Sequence, residues 1–166
     1  MLSLSEATFT DFKTIQDIAT KTWPVTYGSI LSKEQIHYML DLFYSEKTLL
    51  ENLNQKGHHF LLVKEAGICL GFASYEHRYL NQEVTRLHKI YLLPEAQGKG
   101  AGKFLLDATE NLARQNHSVA ISLNVNKFNT ALSFYKKMGF EIVGEEDIEL
   151  GYGGYKMEDY KMEKAL

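Results

Sequence analysis

Residues 97–102 read Gln97-Gly98-Lys99-Gly100-Ala101-Gly102, with Lys103 directly after them and the apolar run Ile90-Tyr91-Leu92-Leu93-Pro94 shortly before. Glycines at 98, 100 and 102 let successive backbone N–H groups turn inward with no Cβ in the way, and a helix beginning there contributes its own unbonded amides. Such a turn suits an anion, and the ammonium groups of Lys99 and Lys103 add charge of the right sign. The chemistry to expect is a grip on phosphate or pyrophosphate. Two common phosphate signatures do not fit. A P-loop needs glycine where Gln97 stands and Ser or Thr where Phe104 stands, and the dinucleotide fingerprint needs a small residue where Lys103 stands.

Groups able to move protons are sparser. His88 lies in the extended run Val84–Leu93, and an imidazole there suits proton acceptance near neutral pH; Glu76 and His77, at the end of the preceding run, compete for that role. Tyr135 is in line with Ala131, Leu132 and Met138, the spacing of a helical packing stripe, and Asn129 precedes that stripe where it can cap it. Lys136 and Lys137 read as a solvated pair. Cys69 is the only cysteine, which excludes an internal disulfide and a cysteine-built metal site, and no residue completes a ligand spacing with His58-His59. No metal is expected.

The elements that must position these groups follow from periodicity. Residues 2–8 read as a first strand, and Phe9, Phe12, Ile15, Ile18, Ala19 and Trp23 recur at helical spacing until Pro24, where the helix should stop. Ser32 should cap a second helix carrying Ile36, Met39, Leu40 and Phe43 on one face, with Gln35 placed for the reciprocal contact, and residues 46–55 suit a short third helix. His59–Lys64 and Ile68–His77 pair as a hairpin around Glu65-Ala66-Gly67. Val84–Leu93 should then place Arg86, His88, Ile90 and Leu92 on one face and Leu87, Lys89, Tyr91 and Leu93 on the other. After the glycine turn comes a helix burying Ala101, Phe104, Leu105, Ala108 and Leu112, with Asp107, Glu110, Asn111 and Arg114 outward. A strand through Val119, Ile121, Leu123 and Val125, parallel to its predecessor if the crossover is right-handed, precedes a short helix over 130–138 and final strands near 140–149 and 154–163.

At 166 residues and a formal net charge of −3, the chain suits a single domain spanning 1–166, and the acidic balance argues against nucleic acid as a partner. No apolar run approaches bilayer length and the first residues do not form a leader, so a cytoplasmic setting with no membrane partner is the expectation.

The pattern Gln-x-x-Gly-x-Gly after a strand ending in proline resembles the acyl-CoA pyrophosphate loop of the GNAT superfamily of N-acyltransferases. Residues 84–143 resemble that family's core from end to end. Their last segment is Asn129-Thr130-Ala131-Leu132-Ser133-Phe134-Tyr135-Lys136-Lys137-Met138-Gly139-Phe140, similar to its second cofactor element. The resemblance implies an α/β (α+β) fold with a mixed, mostly antiparallel sheet of about seven strands flanked by helices, its central parallel pair splayed apart. It implies acetyl-CoA as co-substrate, gripped by Gln97, Gly98, Lys99, Gly100, Ala101, Gly102 and Lys103. Ile90 and Leu92 would offer backbone groups to the pantetheine arm, with Asn129 beside it. Tyr135 becomes the general acid for the departing thiolate and His88 a candidate general base.

The acceptor is expected against residues 22–45, the loop near 78–83 and the tail after 145. Thr22–Gly28 and Leu31–Ile36 are similar to bacterial members of the family. Trp23, Tyr27, Tyr38, Phe43 and Tyr44 could wall a pocket, and Glu145, Glu146, Asp147 and Glu149 could draw in a cationic amine such as a polyamine. Three readings stay open: a small-molecule amine acceptor, a protein lysine or N-terminus, and a non-catalytic acyl-CoA sensor. The tyrosines from Tyr152 to Tyr160 suit either a homodimer interface or a covered sheet edge.

Overall fold

A computed structural model describes residues 1–150 and 154–166. Strands β1 (Leu2–Glu6), β2 (His58–Glu65), β3 (Ile68–Glu76), β4 (Val84–Leu92), β5 (Ala120–Asn126), β6 (Glu141–Leu150) and β7 (Tyr155–Ala165) form one sheet in the order β1-β2-β3-β4-β5-β7-β6. Only β4 and β5 run parallel, because α4 (Ala101–Gln115) carries the chain over one face between them, whereas the other neighbours pair antiparallel. Helices α1 (Phe12–Tyr27), α2 (Lys33–Tyr44) and α3 (Glu46–Asn54) cover the opposite face, and α5 (Ala131–Lys137) lies between β5 and β6 in the chain. The expected mixed seven-stranded sheet is the fold observed.

Two apolar layers result, one on each face. Ile15, Ile18, Trp23, Met39 and Leu49 pack with Phe60 and Phe72 on the α1–α3 side, and Leu105, Leu106, Ile121, Leu123 and Met162 on the α4 side. Phe72 is fully buried, its ring 6.3 Å from Phe60, 6.2 Å from Tyr44 and 6.0 Å from Tyr91. Phe72→Ala should therefore cost about 3–5 kcal/mol, read as a lowered denaturant midpoint.

Local capping explains the helix starts. Ser32 Oγ accepts from the Gln35 N–H at 3.1 Å, and Ser45 Oγ accepts from the Thr48 N–H at 3.1 Å. The reciprocal Gln35 contact is not made. Its amide instead donates to the Lys156 carbonyl at 3.0 Å, tying α2 to β7.

Three other expectations are corrected. Helix α1 continues through Pro24 to Tyr27, because one lost N–H bond weighs less than the burial of Trp23 and Tyr27, whose rings lie 4.7 Å apart. The first strand ends at Glu6, and Phe9 sits 70% exposed in a 3-10 turn closed by a Thr8–Asp11 capping box. In α4, Glu110 faces inward, 4% exposed, because Lys164 of β7 reaches it with Nζ 2.8 Å from Oε1. Leu106 and Thr109 are buried with it, while Phe104, Ala108 and Leu112 are half-buried.

The most consequential correction is in β4. Ser74 pairs with Lys89 but Tyr75 pairs with Leu87, so His88 is an extra residue and the strand's alternation reverses there. Leu87 therefore joins Ile90 and Leu92 against the α4 layer, and the single face expected for Arg86, His88, Ile90 and Leu92 does not exist.

Candidate functional site

Strands β4 and β5 pair from Val84/Ala120 through Leu87/Leu123 and then part. Beyond that point the hydrogen-bonding parity of β4 decides which groups are left over. The Leu93 N–H donates to the Leu70 carbonyl at 2.8 Å, so the alternating bonds to β3 fall on the odd-numbered residues of this stretch. Ile90 and Leu92 consequently direct their N–H and C=O groups across the gap toward β5. This wedge is the splay that the resemblance implied.

The glycine turn closes the same end of the wedge. After a 3-10 turn at Pro94–Ala96, Gly98 and Gly100 take left-handed backbone conformations, with φ of 77° and 72°. The N–H of Gln97 bonds to Pro94 and that of Lys99 to Ala96, at 3.1 and 3.3 Å, while those of Gly98, Gly100, Ala101, Gly102 and Lys103 have no backbone acceptor among the described residues. Gly102 is needed for packing: a Cβ there would lie 3.1 Å from Leu92 Cδ1 and 3.6 Å from Phe134 Cζ. The first turn of α4 thus rests directly on the tip of β4. The two lysine heads are not free, because Lys99 Nζ meets Glu65 Oε1 at 2.6 Å and Lys103 Nζ meets Asp107 Oδ2. The bond from Lys99 holds the Glu65 carboxyl below the usual range.

A cleft of about 870 Å³ runs from this turn through the wedge to the α1–α2 side, touching Ile90, Leu92, Gln97, Gly102, Asn129 and Tyr135. Asn129 Oδ1 accepts from the Ala131 N–H at 2.9 Å, so it secures the entry to α5 while standing at the cleft. Tyr135 is buried, with no hydrogen-bond partner for its phenol among the described residues, and burial pushes its pKa well above the ordinary value. Trp23, Tyr27, Phe43 and Tyr44 wall the far side, and Tyr27 Oη lies 3.0 Å from Tyr91 Oη. Tyr38 does not take part; it packs on Tyr155 at 5.3 Å. Tyr152 lies outside the described residues.

The proton-transfer expectation at His88 changes with the bulge. His88 Nε2 sits 2.9 Å from Glu76 Oε1, and the His58 ring stacks on it at 4.0 Å with its own Nε2 3.3 Å from the same oxygen. Burial, and then the neighbouring His58 and Lys89, drive the His88 pKa down to about 2. The ligand atoms of His58, Glu76 and His88 fall within 4.8 Å of one another, a grouping that spacing along the chain could not reveal. The imidazole planes are 16° apart, and His88 is the ring of the two that hydrogen-bonds to the Glu76 carboxylate.

Sequence reasoning missed two groups. Arg86 lines the cleft, with its guanidinium 5.0 Å over the Tyr79 ring and 3.4 Å from Ser122 Oγ. Asp159 of β7 is 6% exposed, and its pKa is raised to about 6, first by burial and then by Glu146. Only its alternation in phase with Met157 on an inward strand face could have pointed to it. Three of the four acids singled out beforehand are occupied on the surface of β6, Glu145 with Lys127 at 3.3 Å, Glu149 with Lys156 at 3.9 Å and Glu146 with Asn124 at 2.9 Å.

Residues 29–161 match the family described as the acetyltransferase (GNAT) domain. The chain is 31% identical over 153 residues to the N-acetyltransferase YuaI of Bacillus subtilis, covering 90% of this chain and 86% of that one. It is 27% identical over 146 residues to a spermidine N(1)-acetyltransferase of Thermoplasma acidophilum, covering 85% and 89%. The crystal structure of the PaiA N-acetyltransferase from Thermoplasma acidophilum in complex with coenzyme A superposes with a TM-score of 0.82 at 26% identity, covering 100% of this chain and 99% of that one. A match of that extent, carried on the same sheet, makes this chain a member of the GNAT family of N-acetyltransferases.

Proposed function

We propose that this N-acetyltransferase moves an acetyl group from acetyl-CoA to a primary amine of a small molecule, by direct attack in a ternary complex, with the whole chain acting as one domain. The observation that carries the reading is the meeting of two unsatisfied backbone features: the β4–β5 ladder ends at Leu87 and Leu123, and the unbonded amides of Gly98 and of Gly100 to Lys103 stand at the mouth of that gap. An unpaired strand edge inside a protein needs a partner, and the amide-bearing pantetheine arm can pair with Ile90 and Leu92 as a strand would. The turn from Gln97 to Lys103 then takes the diphosphate on its N–H groups. The ion pairs of Lys99 and Lys103 are exposed to solvent and therefore weak, so a doubly charged phosphate can draw either ammonium away.

Tyr135 keeps its proton at neutral pH and supplies it to the leaving sulfur as the C–S bond breaks. The attacking nitrogen gives up two protons on its way from ammonium to amide: one restores the phenol and the other leaves with the base. The aromatic wall of Trp23, Tyr27, Phe43 and Tyr44 supports a small acceptor rather than an open peptide groove. The relative named as a spermidine acetyltransferase puts polyamines first among the candidates.

Thiol release from acetyl-CoA, screened over polyamines, amino acids, aminoglycosides and peptides, tests the reading. Turnover with a small amine is expected. Turnover with peptides alone would move the acceptor to a protein lysine or N-terminus, and calorimetry showing no acetyl-CoA binding would remove the reading altogether.

A further inference from the structure

Asp159 is the one carboxylate among the cleft-lining residues described, and it sits in register between Asn126 of β5 and Glu146 of β6. Its Oδ1 is enclosed with no hydrogen-bond partner among the described residues. A buried carboxylate oxygen left unmatched is costly to keep, and an ammonium group entering the cleft would supply the missing donors. The groups around it are Glu146 and Asp147 from β6, Arg86 from β4, Asn124 from β5 and the Tyr27 phenol from α1. Arg86 is the single cation in that set, and its guanidinium is turned toward Tyr79 and Ser122. The same cleft holds Tyr135, so a nitrogen held by Asp159 and a sulfur served by Tyr135 would share one chamber.

Resting on the transfer reading above, we propose that Asp159 is the catalytic base of the acceptor half of the site, holding the incoming ammonium and removing one of its protons. The Asp159 carboxylate becomes a carboxylic acid, the ammonium becomes a neutral amine, and the amine's lone pair forms the C–N bond to the thioester carbon; the C–S bond then breaks, the thiolate takes the Tyr135 proton, and the second proton of the nitrogen restores the phenol. The Asp159 proton then returns to solvent. Desolvation lowers the pKa of an ammonium while it raises that of the carboxylate, which narrows the gap the proton must cross. The upward shift of Asp159 to about 6 already lies in that direction.

The test uses spermidine and benzylamine as acceptors. The kcat/KM for thiol release, followed from about pH 5 to pH 9, should show an acid limb near 6 in the wild type. Asp159→Asn should lower kcat about 10²-fold and erase that limb while calorimetry finds the acetyl-CoA affinity unchanged. Two measurements need no turnover. The carboxyl-carbon shift of Asp159 should titrate near 6 in the wild type, and added spermidine should move that midpoint down.

The stability profile has a defined sign. The native state holds the Asp159 proton more tightly than the unfolded chain does, so the wild type carries a penalty that develops from the ordinary aspartate value of 3.8 up to about 6 and is complete above it. Asp159→Asn should therefore melt higher than the wild type at pH 8, with the difference vanishing at low pH. If acetyl-CoA binds neither protein, the transfer reading itself fails. If it binds both and the variant keeps the limb and the rate, or neither amine discharges the thioester, or the midpoint ignores spermidine, Asp159 is not the base.

Discussion

Gly100→Asp should weaken acetyl-CoA binding about 10³-fold while leaving the fold in place. Gly100 caps α4 with φ 72° and ψ 17°, a left-handed conformation that Asp adopts at a cost of roughly 1–2 kcal/mol. A Cβ at this position meets no protein atom within 4 Å, so the new side chain would project into the space that the turn's N–H groups face. A carboxylate about 4 Å from a phosphate charge costs about 4 kcal/mol at an effective dielectric of 20, which is the stated loss in affinity. Gly57→Asp is the matched control, since Gly57 also has positive φ, at 67°, and open space around it but lies before β2, away from the cleft. Calorimetry should find its affinity unaltered. Gly102→Asp is a less clean probe, because the contact with Leu92 would disturb β4 as well. Equal affinities for Gly100→Asp and wild type would mean that the turn does not hold the diphosphate.

The features legible in the sequence were those fixed by neighbours along the chain. A glycine turn after Pro94, the serine cap at 32 and the hairpin around Ala66 are local arrangements, and each was found where expected. The features that escaped depend on pairing between distant strands. No periodicity shows that β3 leaves His88 unmatched, yet that single bulged residue turns Leu87 to the other face and brings His88 beside His58 and Glu76. Glu110 reads as a solvated helix residue until Lys164, 54 residues later, supplies the charge that buries it. Asp159 escaped for the same reason. Its burial arises from Asn126 and Glu146 on two flanking strands, whereas the conspicuous run from Glu145 to Glu149 includes acids neutralised by surface partners. Pro24 misled in the opposite direction, since a local rule was outweighed by the burial of the aromatics on either side of it.

Tyr135→Phe should lower kcat about 10³-fold and change the acetyl-CoA dissociation constant by less than about threefold. The substitution removes one hydroxyl from a buried ring and leaves the rest of its packing, edge-on to Phe134 at 5.5 Å and to Phe140 at 5.8 Å. Because that hydroxyl has no partner among the described residues, the variant should be as stable as the wild type or slightly more so, so a rate loss could not be ascribed to unfolding. The pH profile adds a second constraint. Burial holds the phenol well above its ordinary ionisation range, so no basic limb from Tyr135 should appear below about pH 10, and the proton remains available throughout the range in which an acceptor amine loses its own. A thiolate is a better leaving group than an alkoxide, so part of the reaction should survive with water as the proton source. Unchanged kcat in Tyr135→Phe would exclude the phenol as proton donor. A proportionate loss of kcat and of acetyl-CoA affinity would instead make Tyr135 part of the binding surface for the pantetheine arm.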